Sequence, residues 1–446
     1  MEDYIHLHVH THYSILDGQS KVSNLVDKAI NDGMKGMAIT DHGVMFGIKE
    51  FADYCATKNK ERKAKGEEPF KPIFGCEMYV ARRKLTDKVK EMHDNSGYHL
   101  IVLAKNYNGY KNLIKLVSKS WVDGYYYRPR TDREQLEKYH EDLIICSACL
   151  AGEIPSKIRK GDLEGAREAC LWYKKLFGDD FYLELQRHEV TDPNLIANRE
   201  AFPLQQQVNR VLMQFAKDYN IKLVCTNDCH FEDKETAEAH DHLLCLSTND
   251  DLDDPKRMRY SKQEWFKTRE EMNQIFSDVP EALSNTIEIL NKIEIYDINH
   301  GPIMPFFPIP EDFGTEAQWR EKFSKEDLFH EFTSDENGEN QLPEQEANKV
   351  IDRLGGYEKI YRIKFEADYL AKLAYDGACR LYGDPLPEEV NSRIRFELHV
   401  MKTMGFPGYF LIVQDFINAA ENELGVMVGP GPVSYTHLTL PTTERV

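Results

Sequence analysis

Apolar and polar residues alternate with a period of two in the first extended stretch, His6-Leu7-His8-Val9-His10. That pattern predicts a β-strand with three histidines on one face and Leu7 and Val9 on the other. The period then lengthens: Asn24 to Asn31 reads as an amphipathic helix, and Gly36 to Thr40 as a short apolar strand delivering Asp41-His42-Gly43 at its end. Lys71 to Cys76 leads into Glu77, with Met78-Tyr79-Val80 continuing extended, and a strand over Tyr98 to Lys105 opens at His99. Asn108 to Lys119 is helical in pattern. Asp142 to Ser147 ends near Cys149, Phe181 to Gln186 ends before His188, and Lys222 to Thr226 ends at Asn227-Asp228-Cys229-His230. A helix over Gln206 to Tyr219 separates the last two. Strands alternating with helices predict a parallel sheet, and where such units close into a barrel the functional residues gather at one end of the strands.

The polar residues at those strand edges are the chemistry-bearing ones. His8, His10, His42, Glu77, His99, Cys149, Asp228 and His230 recur there, and Asp17 arrives just after the first strand within Ser14-Ile15-Leu16-Asp17-Gly18. Imidazoles this closely spaced suit a cation, and carboxylates add harder donors. A mixed His/Asp/Glu set of this size exceeds one tetrahedral site and points to a multinuclear centre of zinc, manganese or iron. His6 reads as a partner that orients a ligand histidine, and His12 as structural.

Composition changes the picture in three places. At 446 residues the chain exceeds what one core usually organises, so at least two domains are expected. Nine cysteines, an odd number scattered through a large chain, suit reduced thiols; in Cys146-Ser147-Ala148-Cys149 the first is read as a core thiol and the second as the one near chemistry. The acidic start Met1-Glu2-Asp3 is unlike a signal peptide, and no apolar run is long enough to span a bilayer, so a cytoplasmic protein without a membrane partner is expected. A net charge of −19 argues against a generic phosphate-binding surface, although bound cations offset acidic charge locally.

Seven motifs in order carry a family resemblance: H-L-H-V-H-T-H-Y-S-I-L-D-G, A-I-T-D-H-G, G-C-E-M-Y-V, Y-H-L-I-V-L-A-K-N, G-Y-Y-Y-R-P-R, A-C-L-A-G-E-I and T-N-D-C-H-F, spanning residues 4 to 232. The sequence resembles the polymerase and histidinol phosphatase (PHP) domain that begins bacterial DNA polymerase III alpha subunits. The resemblance implies a distorted (β/α)7 barrel holding up to three divalent ions (Zn, Mn or Fe), with 3′-5′ exonuclease activity. Carried over position by position, its nine ligands fall on His8, His10, Asp17, His42, Glu77, His99, Cys149, Asp228 and His230. Tyr125, Tyr126, Tyr127, Arg128 and Arg130 are the candidates for gripping DNA, aromatic faces for unpaired bases and guanidiniums for phosphates. The basic run Lys58 to Lys65 reads as a solvated helix end.

Beyond His230 the pattern changes to helices over Glu235 to Leu246, Arg269 to Ile275 and Pro280 to Ile293. A proline-rich connector, Gly301 to Pro310, and an acidic segment to about Glu346, read as a charged insertion or mobile arm, follow. The expected division is a PHP phosphoesterase domain at 1–295, connector and insertion at 296–350, the start of an α+β polymerase palm at 351–431, and a tail at 432–446 that departs from the family. Met404-Gly405-Phe406-Pro407-Gly408-Tyr409 and Val428-Gly429-Pro430-Gly431 resemble that palm, with Gly429 and Gly431 as its phosphate loop. The family continues there with Arg-Gly-Ser, whereas this chain has Pro432-Val433-Ser434, and the family's catalytic aspartates lie further on. The polypeptide as it stands is therefore not expected to polymerise DNA. For the longer protein the resemblance implies Mg at the polymerase site, a DNA primer-template, a sliding clamp, a clamp loader and a separate proofreading exonuclease. A stand-alone metallophosphatase on a small phosphate ester and a non-catalytic, metal-stabilised scaffold are the alternative readings.

Overall fold

A computed structural model describes residues 1–190, 197–301 and 305–428, and it divides into two compact units, Met1–Asn299 and the chain from His300 onward. The first unit is built on seven strands: β1 (Gly36–Ile39), β2 (Lys71–Ala81), β3 (Gly97–Ala104), β4 (Arg130–Thr131), β5 (Leu143–Cys146), β6 (Phe181–Gln186) and β7 (Lys222–Thr226). The strand order is β1-β2-β3-β5-β6-β7, with the short β4 pairing beside β2. Residues 6–10 form no regular strand, because the chain bends at His8 and only Val9 makes a bridge, yet they act as a further stave. On one side Ala38 and Thr40 N–H donate to the carbonyls of His6 and Val9 (both 2.8 Å). On the other, His10 N–H donates to Cys229 O at 2.7 Å and Cys229 N–H to His8 O at 3.1 Å. The stretch therefore closes β1 onto the residues that follow β7, and the sheet curls into a distorted barrel.

The sheet is not uniformly parallel, as the alternating pattern predicted. β3 runs antiparallel to both β2 and β5, while the β1/β2, β5/β6 and β6/β7 pairs are parallel. The reason lies in the connections. Helices Ile48–Ala64 and Phe202–Asp218 carry the chain back between β1 and β2 and between β6 and β7. Only a single 3-10 turn, Lys90–Met92, separates β2 from β3, and without a crossover helix the chain returns in the opposite direction.

Helices form where the period lengthened. Val22–Asn31 buries Val22, Leu25, Val26 and Ala29, one stripe at helical spacing. Tyr107–Val122 is capped by Asn106, whose side chain accepts from Gly109 N–H, and it buries Leu113 and Leu116. Each such leucine contributes roughly 1.5–3 kcal/mol through burial. Leu7 and Val9 join one continuous core with Ile39, Ile73, Ile101, Ile144, Leu183 and Val224. The histidine face of the first stave is buried as well, so neither side of that stretch meets solvent. All nine cysteines are free, and Cys146 is a core thiol. Lys58 to Lys65 closes an exposed helix end, as its charge pattern predicted.

The second unit is helical among the described residues, and its acidic segment is folded rather than a loose arm. Glu316–Lys322 and Lys325–Thr333 begin at capping boxes, Thr315 with Gln318 and Ser324 with Asp327. Leu328 and Phe332 pack with Ile351, Leu354, Ile360 and Tyr361 from Glu344–Arg353 and Tyr357–Tyr382. The abundant carboxylates therefore cap helices and cover an exposed face. Glu388–Thr403 and Pro407–Asn418 follow, with Leu411 and Phe410 against Leu370 and Phe307. Gly429 and Gly431 lie outside the described residues. No helix among the described residues is long and apolar enough to cross a membrane.

Candidate metal centre

Strand ends deliver nine side chains to one place. His8 and His10 come from the closing stave, Asp17 from the turn behind it, and His42 from the loop after β1, where it bridges to Glu77 of β2. His99 lies near the start of β3, Cys149 just beyond β5, and Asp228 and His230 just beyond β7. Backbone geometry is unusual at three of these points. Leu16, Ala148 and Asp228 have φ of +62°, +61° and +50°, so the residues before Asp17 and Cys149, and Asp228 itself, are left-handed. Aspartate tolerates that region; leucine and alanine pay for it with Cβ crowding, and such strain collects at functional sites.

The donor atoms converge. His8 Nε2 lies 3.2 Å from His10 Nε2, 3.0 Å from Asp228 Oδ1 and 3.3 Å from Glu77 Oε1. His10 Nε2 is 3.2 Å from Asp228 Oδ1, His99 Nδ1 is 2.8 Å from Glu77 Oε1, and His42 Nδ1 is pressed against Glu77 Oε2. His42 Nε2 lies 2.7 Å from Asp17 Oδ2, and Cys149 Sγ 3.6 Å from His99 Nδ1. Three overlapping triads result, His10/His42/His230, His8/His10/Asp228 and His42/Glu77/His99, each with donor atoms within 4.8 Å of one another. The His10 ring packs against those of both His42 and His230, with centroids 4.0 and 4.3 Å away.

Partners behind the cluster set which nitrogen faces inward. His8 Nδ1–H donates to Glu184 at 2.7 Å and His230 Nδ1–H to the Asp228 carbonyl at 2.8 Å. His10 Nδ1–H donates to Ser14 Oγ at 3.1 Å, and Ser14 Oγ–H passes the hydrogen bond on to Asp41 at 2.7 Å. All three imidazoles are thus oriented with Nδ1 turned outward and Nε2 aimed into the cluster, the nitrogen a metal would take. The carboxylates show the complementary feature. Asp17 Oδ1, Glu77 Oε2 and Asp228 Oδ1 are buried, as is His42 Nδ1, and none has a hydrogen bond. Glu77 Oε2 and Asp228 Oδ1 nevertheless crowd imidazole nitrogens, without donor geometry between them. Unpaired buried polar atoms are costly, and atoms that crowd together without bonding are arranged for a shared cation. The donor set, imidazole nitrogen and carboxylate oxygen with one thiol, fits divalent zinc, manganese or iron.

Charge distribution agrees. Burial pulls His10 down to about 3, reinforced by its stacked neighbours. Burial also opposes charge on His8, His42 and His230, but nearby carboxylates outweigh it and hold all three above the ordinary histidine range: Asp228 and Glu184 for His8, Glu77 and Asp17 for His42, Asp17 and Asp228 for His230. Those imidazoles carry protons near neutral pH until a cation displaces them. Metal uptake at about pH 7 should therefore release protons, and affinity should fall as pH drops and the imidazoles hold their protons more firmly. Calorimetric titration with Zn or Mn in buffers of different ionisation heat measures this. An observed heat that is independent of the buffer would contradict it.

Several contributors were not foreseen. Glu184 takes the orienting role assigned to His6, and also accepts from Gln186 Nε2 at 3.1 Å. His6 instead donates to Lys267 O at 2.8 Å, touches no cluster histidine and is held neutral by burial, its pKa pulled down to about 3. The only sequence signal for Glu184 was an acid inside an otherwise apolar strand. Tyr260, from a loop distant in sequence, places its hydroxyl 3.2 Å from Asp17 Oδ2 and 3.4 Å from His230 Nε2. His12 bonds to Ser20 O, apart from the cluster.

The basic-aromatic motif is split by the fold. Arg130 is fully buried, with Nε donating to Gly124 O at 3.1 Å and Nη2 to Leu85 O and Asp87 O at 2.8 and 2.9 Å, so it is a structural post and not a DNA contact. Tyr126 packs against it, its ring 5.7 Å from the guanidinium. Tyr125, Tyr127 and Arg128 stay at the mouth of a cleft of about 580 Å³ that opens from the cluster.

Relatives agree with this architecture. A family model for the PHP domain matches residues 6–188, and one for the bacterial DNA polymerase III alpha NTPase domain matches residues 368–436. DNA polymerase III alpha subunits from Borreliella burgdorferi, Campylobacter jejuni and Thermus aquaticus are 38%, 36% and 35% identical to it over 96%, 97% and 96% of this chain. The chain is homologous to the N-terminal region of bacterial DNA polymerase III alpha subunits. It spans about a third of those relatives' length, covering 31%, 32% and 34% of them. The barrel is therefore a PHP domain. Among solved structures, an amidohydrolase from Chromobacterium violaceum aligns over 51% of this chain and 87% of its own, with 12% identity and a TM-score of 0.29, too loose a superposition to place any residue.

Proposed function

We propose that the PHP domain is a metal-dependent phosphodiesterase that removes nucleotides from a DNA 3′ end. One observation carries the reading: buried histidines locked with Nε2 inward, facing carboxylate oxygens that have no other partner. Divalent ions held by His8, His10, Asp17, His42, Glu77, His99, Cys149, Asp228 and His230 supply charge neutralisation at a phosphate and activation of water near neutral pH. Glu184 and the Ser14–Asp41 pair keep the ligand imidazoles in register. Glu77, in contact with His8, His42 and His99, occupies the bridging position between triads. For the longer protein we extend the relatives' role, a replicative polymerase with Mg at its own site, working on primer-template DNA with a clamp, a clamp loader and a separate proofreading subunit.

The test is digestion of a 3′-mismatched primer-template by the full chain with Mn or Zn, beside Asp228→Asn and a p-nitrophenyl phosphate assay. Mononucleotide release that disappears in the variant is the expected result. Ester turnover without DNA digestion would replace the reading with a small-ester phosphatase, and bound metal without either activity would replace it with a scaffold.

A further inference from the structure

The mouth of the cleft is unlike the rest of this acidic chain. Asp17 is the one carboxylate among the residues lining it, and Arg128 is the one arginine or lysine. The remainder is largely aromatic, apolar and hydroxyl-bearing, and Phe46, Trp121, Tyr125 and Tyr127 expose 61%, 43%, 47% and 59% of their surface there. Large apolar side chains left together in water mark a binding surface.

The aromatic rim is also built to stay in place. Trp121 and Tyr125 are parallel, with interplanar angle 16° and centroids 5.4 Å apart. Trp121 Nε1–H donates to Gly43 O at 2.8 Å, which ties the rim to the residue following His42. Gly43 is left-handed and lies so close to Pro129 that a Cβ there would come within 2.7 Å of the proline ring. Tyr127 sits at the apex of a tight turn closed by Tyr126 N–H to Arg128 O at 3.1 Å, with φ +62°, and the buried Arg130 braces its base through Gly124. The rim and a side chain of the donor cluster therefore share one rigid support.

We propose that this rim is a nucleobase subsite that takes the unpaired end of a single strand, with bases stacked on Trp121 and Tyr127 and Arg128 against the backbone phosphate. The inference rests on the phosphodiesterase reading and names its substrate class. Flat, exposed aromatic faces engage bases only after these have left a duplex stack, whereas a small phosphate ester would leave the rim unused.

The test separates binding from hydrolysis by using short oligo(dT) without added metal. Tryptophan fluorescence should be quenched on binding, and affinity should exceed that for a blunt duplex of the same length by about tenfold or more. Trp121→Leu should lose the quench and about tenfold in affinity, while Trp121→Phe, which lacks the bond to Gly43 O but keeps a stacking face, should retain the affinity. Tyr127→Ser, at an exposed apex, supplies a second variant with the same expected weakening. Equal affinity for duplex and single strand, or wild-type affinity in both Trp121→Leu and Tyr127→Ser, would overturn the proposal. An unquenched, non-binding wild type would overturn it too, and would leave the patch for a protein partner. DNA digestion without quench sinks this subsite alone, and quench without digestion sinks the exonuclease reading alone.

Discussion

Glu77→Gln is expected to lower metal-dependent phosphodiester hydrolysis by more than about 100-fold, beyond the 10–100-fold that loss of an outer partner such as Glu184 costs. The side chain touches donor atoms of His8, His42 and His99 and lies 3.8 Å from His10 Nε2. It links two triads, and the amide removes its charge while keeping its shape. Burial opposes charge on Glu77, but the imidazoles of His99, His42 and His8 outweigh it and hold the carboxyl well below its ordinary range, so the charge is present to be lost. Metal content by elemental analysis should fall along with activity, and the far-UV spectrum should not change because the strand pairing of β2 does not involve the side chain. Full metal content with full activity would remove Glu77 from the centre.

The second large effect concerns folding and separates two neighbouring arginines. Arg130→Ala should cost about 3–5 kcal/mol, because it removes the side-chain donors to the Leu85, Asp87 and Gly124 carbonyls, at roughly 1–3 kcal/mol for each buried acceptor left unpaired, and opens a cavity among them. Arg128→Ala should leave stability within about 0.5 kcal/mol, since the residue is exposed and its contact is the face of Tyr79, 5.7 Å away. Urea denaturation followed by circular dichroism measures both. Comparable losses in the two variants would mean that the motif acts as one structural unit and that Arg128 is not a free rim residue.

Much of this was legible in the chain because it is local. A period of two or of about four positions says which backbone hydrogen bonds a segment will make, so Val22–Asn31, Tyr107–Val122 and the short apolar strands were readable before any packing was known. The cluster was readable for a related reason: its members occupy strand ends, and strand ends of β-α units meet at one end of a barrel. Direction was not readable where a connection lacked a helix, and β3 runs against β2 for that reason. The acidic segment misled because charge counts report a surface, and Leu328 and Phe332 carry the packing.

The sequence by itself determined which residues could bind a cation and which strands would carry them, since donor chemistry and strand periodicity are properties of single residues and their near neighbours. Tertiary structure alone decided the partners. It placed Glu184 behind His8 across 176 positions of chain and brought Tyr260 to Asp17 across 243. It left His6 outside the cluster despite its place in the alternation, and it buried Arg130 while exposing Arg128 two residues before it. Each outcome depends on what lies on the far side of a side chain, and that is set by the closing of the barrel.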